Sequence, residues 1–247
     1  MENLNQKVAI VTGASRGMGA AIAKELGVKH NTAVVVNYAG SKQAAEDVVA
    51  EIVNAGGKAV AVQGDVSKSK DVKNLYDVAE KEYGKVDILV NNAGKAVRKP
   101  LVEFTEEEYD NVVDINLKGV FLNLSEASRR MKDNGSIINI SASFQGAPIP
   151  GYSVYAASKM AIEKITEVAA KELGQRGIRV NSLRPGPTRT DLFMKGKNDE
   201  IVNKFASMSS LGRIGEPEDI ANVVSFLVED KSSWVTGQAI GANGGYW

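Results

Sequence analysis

Short apolar runs alternate with amphipathic stretches along the chain. The runs 7–12 (Lys-Val-Ala-Ile-Val-Thr), 33–37 and 58–63 are rich in Val, Ile and Ala and too short for helices. They read as strands, the first of them buried on both faces. The segments 87–90, 135–141 and 177–182 repeat the pattern, and 236–240 makes a last strand. Between them, 20–26, 43–54 and 68–83 carry helical periodicity, the second ended by Ala55-Gly56-Gly57. Longer helical regions are predicted at 105–131 and 155–173, and another opens at Glu216-Pro217-Glu218-Asp219 with proline in its first turn. Strand–helix units in this succession predict an α/β fold of one domain, spanning 1–247. Its core is a doubly wound, seven-stranded parallel sheet with helices on both faces. The segment 191–208 is polar with scattered Leu192, Phe193, Met194, Ile201 and Phe205. It reads as a helix pair over the mouth of the crevice, a substrate lid spanning about 190–210, or as an ordinary surface helix.

Composition narrows the function classes. Among 247 residues, Lys+Arg 30 balance Asp+Glu 30, which gives no sign of a nucleic-acid or membrane partner. There is no cysteine, hence no thiol nucleophile, and the single histidine, His30, excludes a histidine triad or multi-His metal site. No apolar run approaches the ~18 residues of a membrane span. The opening residues lack an apolar signal core. The expectation is a cytoplasmic protein without a metal.

The chemistry gathers where strands end. Gly13-Ala-Ser15-Arg16-Gly17-Met18-Gly19 joins the first strand to a helix, the context in which glycines let the backbone approach a pyrophosphate at a helix N-terminus. The second strand ends in Asn37-Tyr38-Ala39-Gly40-Ser41-Lys42, with no acid to hold a ribose 2′-hydroxyl or repel a 2′-phosphate. Arg16, Ser41 and Lys42 can reach such a phosphate, which favours NADP(H) over NAD(H); Lys42 also fits an ordinary exposed helix residue. Asp65, followed by Val66, can face an adenine amino group or cap the next helix. Asn116 and Gly119 are unfavourable inside a helix and suggest a local break that turns Asn116 inward, or a polar residue on an exposed face. Tyr155 and Lys159 stand four apart, one turn along a helix. A cation beside a phenol lowers its pKa and makes a general acid; the plain alternative is two surface side chains at helical spacing.

With Thr12 to Gly19, Asn91-Asn92-Ala93-Gly94, Asn116, Tyr155-Ala-Ala-Ser-Lys159, Pro185-Gly186-Pro-Thr188-Arg-Thr190 and the Leu211 to Gly245 tail in order, the chain resembles the short-chain dehydrogenase/reductase family over its whole length. It is similar to 3-oxoacyl-(acyl carrier protein) reductases of that Rossmann-fold family. The resemblance implies an NADP(H)-dependent reductase acting on a small carbonyl or alcohol substrate, with a homotetramer as the assembly. An NAD(H)-linked alcohol, sugar or polyol dehydrogenase and a non-catalytic NADP(H) sensor are the alternatives. It implies that Tyr155 donates a proton and that Lys159 lowers its pKa and binds ribose. Asn116 would hold a water, Asp65 and Val66 flank adenine, Asn91 to Gly94 line the cofactor floor, and Pro185 to Thr190 meet the carboxamide. The family's serine place, thirteen before Tyr155, is Ala142 here, between Ser141 and Ser143. Alanine cannot hydrogen-bond a substrate oxygen. A bulge after Ser141 would present Ser143, which lies three before Gly146; Ser141 is the fallback. Arg129, Arg130 and Lys132 would suit a carrier-protein landing patch or a solvated helix end. A buried Tyr246-Trp247 terminus would suit a second subunit interface.

Overall fold

The computed structural model describes residues 6–144 and 149–246. The strands are β1 Val8–Val11, β2 Ala33–Tyr38, β3 Lys58–Gln63, β4 Ile88–Asn91, β5 Ser136–Ile140, β6 Arg179–Pro185 and β7 Ala239–Ala242. They form one sheet in the order β3-β2-β1-β4-β5-β6-β7, parallel at each pairing. The chain runs outward from β1 to β3 and returns to β4 on the other side of β1. Strand order therefore reverses between β1 and β4, where a crevice opens beyond the carboxyl ends of the strands.

The helices are α1 Gly17–Lys24, α2 Lys42–Asn54, α3 Ser69–Glu82, α4 Glu106–Val113, α5 Gly119–Arg130, α6 Ser153–Leu173, α7 Asp191–Met194, α8 Asp199–Ser207 and α9 Pro217–Val228. Two apolar layers sandwich the sheet. Ala9, Val11, Val34, Val36, Val90 and Ile138 pack with Ile22 of α1, Val48 of α2 and Val224 of α9. Val8, Ile10, Val35, Leu89 and Ile137 pack with Leu75 of α3, Leu124 of α5 and Ile162 of α6. Successive residues of β1 thus serve opposite layers, as the two-residue period of a strand requires. Each fully buried Val, Leu or Ile contributes about 1.5–3 kcal/mol relative to exposure.

Several predicted boundaries move, each for a local reason. The last strand starts at Ala239 rather than 236, because Gly237 holds φ +71° and the Thr236 side chain accepts a bond from the Val180 amide. β6 starts at Arg179, after Gly177 at φ +66°, and runs on to Pro185. The helical region 105–131 is broken as the sequence suggests, but by a π-helical turn, Asp114–Lys118, that keeps α4 and α5 continuous. Gly119 follows that turn because a Cβ there would lie 2.8 Å from Val66 Cγ2. The segment 191–208 folds as the short helices α7 and α8. Gly146 and Trp247, used above as markers, lie outside the described residues.

Candidate active site

The glycine loop is clamped against the end of β4. The Thr12 hydroxyl accepts bonds from the Asn92 and Ala93 amides, both at 3.0 Å. The Asn92 side chain donates to the Thr12 and Gly13 carbonyls at 2.9 and 3.1 Å. Gly13 holds φ +61°, and a Cβ there would sit 2.9 Å from Ala93 Cα. A Cβ on Gly19 would lie 2.5 Å from Asn92 Nδ2. The N-terminus of α1 has no side-chain cap, so its first amides are left for another partner. An uncapped helix N-terminus over a cradle that admits only glycine fits a dinucleotide pyrophosphate.

A cavity of about 430 Å³ runs from this loop to α6 and α8. Its walls include Gly13, Ser15, Arg16, Gly17, Met18 and Gly19, then Ala39 and Ser41 beyond β2, and Asp65 and Val66 beyond β3. Asn92, Ala93 and Gly94 follow β4, Pro185 ends β6, and Gly186, Thr188 and Thr190 follow it. Tyr155, Lys159, Ser141 and Ser143 close the other end. Two of the expected coenzyme contacts are placed differently. Tyr38 lies in the core, because its position on β2 turns the ring among Val36 and Ala45. Asn37 borders the cavity, but its amide is spent on the fold. Its oxygen accepts from the Gly13 amide at 3.2 Å, and its nitrogen donates to the Val62 and Gly64 carbonyls at 3.4 and 3.0 Å. Lys42 is drawn toward Glu46 at 3.5 Å. Arg16 stands 3.8 Å from Asp191 across the mouth, both exposed. Asp65 lines the cavity but does not cap α3, whose N-cap position is Lys68 without a side-chain cap; one Asp65 oxygen instead accepts from the amide and hydroxyl of Ser67 in the preceding turn.

Tyr155 and Lys159 share one face of α6 and both face the cavity. Lys159 is 3 % exposed, and its ammonium donates to the Ile140 carbonyl at 2.7 Å. Burial pulls it down to about 8. Tyr155 moves the other way: burial, reinforced by Tyr152, pushes it up to about 12. The expected lowering of Tyr155 by Lys159 is therefore absent here. The ammonium stands 5.9 Å from the ring centroid and is bonded elsewhere, so desolvation outweighs its attraction. The phenol keeps its proton at neutral pH.

Asn116 is fully buried on the π turn and does not border the cavity. Its oxygen accepts from the Lys95 amide at 2.8 Å, and its nitrogen reaches the Lys95 carbonyl and the Ser158 hydroxyl, both at 3.0 Å. Ser158 in turn donates to the Tyr155 carbonyl at 2.7 Å. The turn thus ties the loop after β4 to the helix that carries Tyr155. A Cβ on Gly94 would be 3.4 Å from both Asn116 Oδ1 and Lys159 Nζ, so glycine keeps a gap between them.

The expected bulge after Ser141 is not formed. The Ser141 amide donates to the Leu183 carbonyl at 2.8 Å and the Ser143 amide to the Pro185 carbonyl at 3.1 Å, an unbroken two-residue ladder. Ser141 is 2 % exposed, and its hydroxyl lies 2.9 Å from both the Lys159 carbonyl and Glu163 Oε1. Ser143 is more open; its hydroxyl accepts from Asn243 Nδ2 at 3.1 Å and donates to the Arg184 carbonyl at 3.2 Å. Gly186 lets Asn243 come this close, since a Cβ there would lie 2.9 Å from Asn243 Cα.

Sequence reasoning missed Ile115, Tyr152, Lys197 and Tyr246 as walls of the cavity. The three-residue step from Tyr152 to Tyr155 was a usable signal; nothing in the sequence marked Lys197. The cationic patch at the end of α5 is neutralised. Arg130 pairs with Asp77, Glu80 and Glu126, Arg129 with Glu126, and Lys132 with Asp87.

Residues 13–247 match the family model described as enoyl-(acyl carrier protein) reductase. The chain is 45 % identical over 247 residues to an uncharacterized oxidoreductase of Methylorubrum extorquens, covering 99 % of each. It is 41 % identical over 243 residues to the 3-oxoacyl-(acyl-carrier-protein) reductase FabG of Staphylococcus epidermidis, covering 98 % of this chain and 99 % of that one. Among solved structures, the angucycline C-6 ketoreductase LanV with bound NADP superposes with a TM-score of 0.91 at 37 % identity, covering 97 % of this chain and 95 % of that one.

Proposed function

Because this chain belongs to the short-chain dehydrogenase/reductase family of oxidoreductases, we propose that it is an NADP(H)-dependent reductase of ketones or aldehydes. The observation that carries the reading is the protonated Tyr155 beside Lys159 at one end of a cavity whose other end is a glycine-only phosphate cradle. NADPH bound along that cavity supplies the hydride. Gly13 to Gly19 hold its pyrophosphate through backbone amides. Arg16 and Ser41 meet the 2′-phosphate, where no carboxylate stands at the end of β2. The LanV relative carries NADP, in keeping with this choice.

Tyr155 gives its hydroxyl proton to the substrate oxygen as charge develops there. Lys159 holds the coenzyme ribose and stabilises the phenolate that remains. Ser143 is the serine that bonds the substrate oxygen: its hydroxyl accepts from Asn243 and donates to the Arg184 carbonyl, a bond it must give up to turn its proton to the substrate. Ser141 instead fastens α6. Asn116 keeps α6 and the loop after β4 in register, and α7 and α8 form the substrate lid.

The test is Tyr155→Phe, which keeps the ring and deletes the proton. Reduction of a simple β-keto ester should fall by at least a thousandfold while NADPH still binds; near-normal turnover would remove the proposal.

The assembly we infer is a homotetramer. Tyr109, Phe121 and Val168 on α4, α5 and α6 are about half exposed, and Trp234 before β7 is 98 % exposed. Large apolar side chains so placed suit two separate interfaces.

A further inference from the structure

The far end of the cavity is aromatic. Phe144, Tyr152 and Tyr155 cluster with ring centroids 5.6–6.1 Å apart, and Phe193 meets Phe205 edge-on at 5.2 Å. Two cations sit on these rings. Lys197, between α7 and α8, lines the cavity with its ammonium 4.5 Å from the Phe193 centroid. The Arg98 guanidinium, on the loop after β4, lies 5.8 Å from the Tyr152 centroid.

Neither cation has a carboxylate partner among the described residues, although Lys99, next to Arg98, is paired with Glu108. The neighbouring residues 145–148 contain no acid. Lys197 titrates below the ordinary lysine value because it is partly buried and because Arg98 repels it. Two like charges held near each other over a drying apolar wall are unfavourable unless an anion joins them. A third group points the same way. The Tyr246 hydroxyl, in the same wall, is buried and lacks a partner among the described residues. A buried hydroxyl without a partner is unfavourable until something bonds it.

We propose that the substrate of this reductase carries a carboxylate at the end remote from its carbonyl, held between Lys197 and Arg98. Its apolar body lies among Phe144, Tyr152 and Phe205, and the Tyr246 hydroxyl donates to a polar atom of that body or to the carboxylate. The carbonyl then meets Tyr155 while the charged end stays at the mouth, where Arg98 is solvated. The inference rests on the reductase reading, and it names the substrate class that the same site selects.

Initial rates with NADPH decide it, comparing 4-acetylbenzoate with the neutral 4-acetylbenzamide. The wild type should favour the acid at least tenfold in kcat/KM, through KM. In the double variant R98Q/K197Q that ratio should fall to within about twofold of one, whereas Lys197→Arg should retain it. The ratio is the readout, so a general loss of activity leaves the comparison intact. Equal use of the two ketones by the wild type, or an unchanged ratio in the double variant, overturns the proposal. Calorimetry with the unreactive 4-tert-butylbenzoate and its amide, on protein loaded with NADPH, separates the two levels. Selective acid binding that the double variant loses, with neither ketone reduced, would sink the reductase reading and leave the carboxylate site standing. Absence of any preference for the acid would sink the site alone.

Discussion

Lys159 is a buried charge, and the proposed mechanism is what would keep it there. Its native value of about 8 lies below that of an unfolded lysine. At pH 7 the charge is present in both states and the desolvation cost is felt in full. As pH climbs from about 8 toward the ordinary lysine range, the native state has lost a proton that the unfolded state keeps, so wild-type stability rises. Lys159→Met should therefore raise stability at pH 7 by on the order of 2 kcal/mol while removing activity, a few degrees in Tm. The gain should shrink by pH 10; melting curves from pH 6.5 to 10 check this, and a lower Tm at pH 7 would contradict it. Asn37 makes the opposite case. A carboxylate there would face the Val62 and Gly64 carbonyls that now receive N–H bonds. Asn37→Asp should cost ~2–3 kcal/mol by chemical denaturation, rather than simply switching the coenzyme. Tyr155, held near 12, must lose its proton before it can act as a base. Alcohol oxidation should accordingly accelerate through the alkaline range while ketone reduction does not, a contrast that pH–rate profiles in both directions test.

At the level of elements, the site depends on how closely backbones approach. The glycine loop touches the loop after β4 so tightly that Gly19→Ala would drive a methyl into Asn92 and the Gly13 carbonyl. The first turn of α1 must then move. NADPH affinity should fall at least tenfold, and stability by about 1–3 kcal/mol; fluorescence titration and thermal melting measure the two. The π turn between α4 and α5 has the same logic. Asn116 and Gly119 were visible as poor helix residues, and the expectation of a break was sound. Its form depended on partners far along the chain, Lys95 and Ser158, which no local pattern names. The serine pair shows the reverse. Sequence spacing suggested a bulge, whereas pairing with β6 kept the ladder regular through Ser143.

For the whole molecule, the two faces of the sheet have separate apolar layers, and the cavity opens beyond the carboxyl ends of the strands. In the assembly proposed above, exposed apolar side chains such as Phe121 would meet neighbours. Phe121→Glu on α5 would place a charge in the proposed subunit contact, where burying it unpaired is costly. Sedimentation should show the wild type as a tetramer and the variant as a smaller species; a wild-type monomer would defeat the assembly. The paired cations at the end of α5 are unavailable as a landing surface for an acidic carrier protein. That agrees with a small charged substrate entering from the α7–α8 side.

Strand number, the parallel winding, the glycine cradle and the Tyr155–Lys159 helix were all legible in the chain itself. Each is written in neighbouring residues, through a two-residue or 3.6-residue period or a turn that only glycine permits. Tertiary structure alone decided the rest. It sent the Asn37 amide inward, committed Ser141 to α6, raised Tyr155, and set Lys197 over Phe193 opposite Arg98. Those outcomes depend on which distant groups share a dry space, and desolvation and pairing across 50 or 100 residues leave no trace in local pattern.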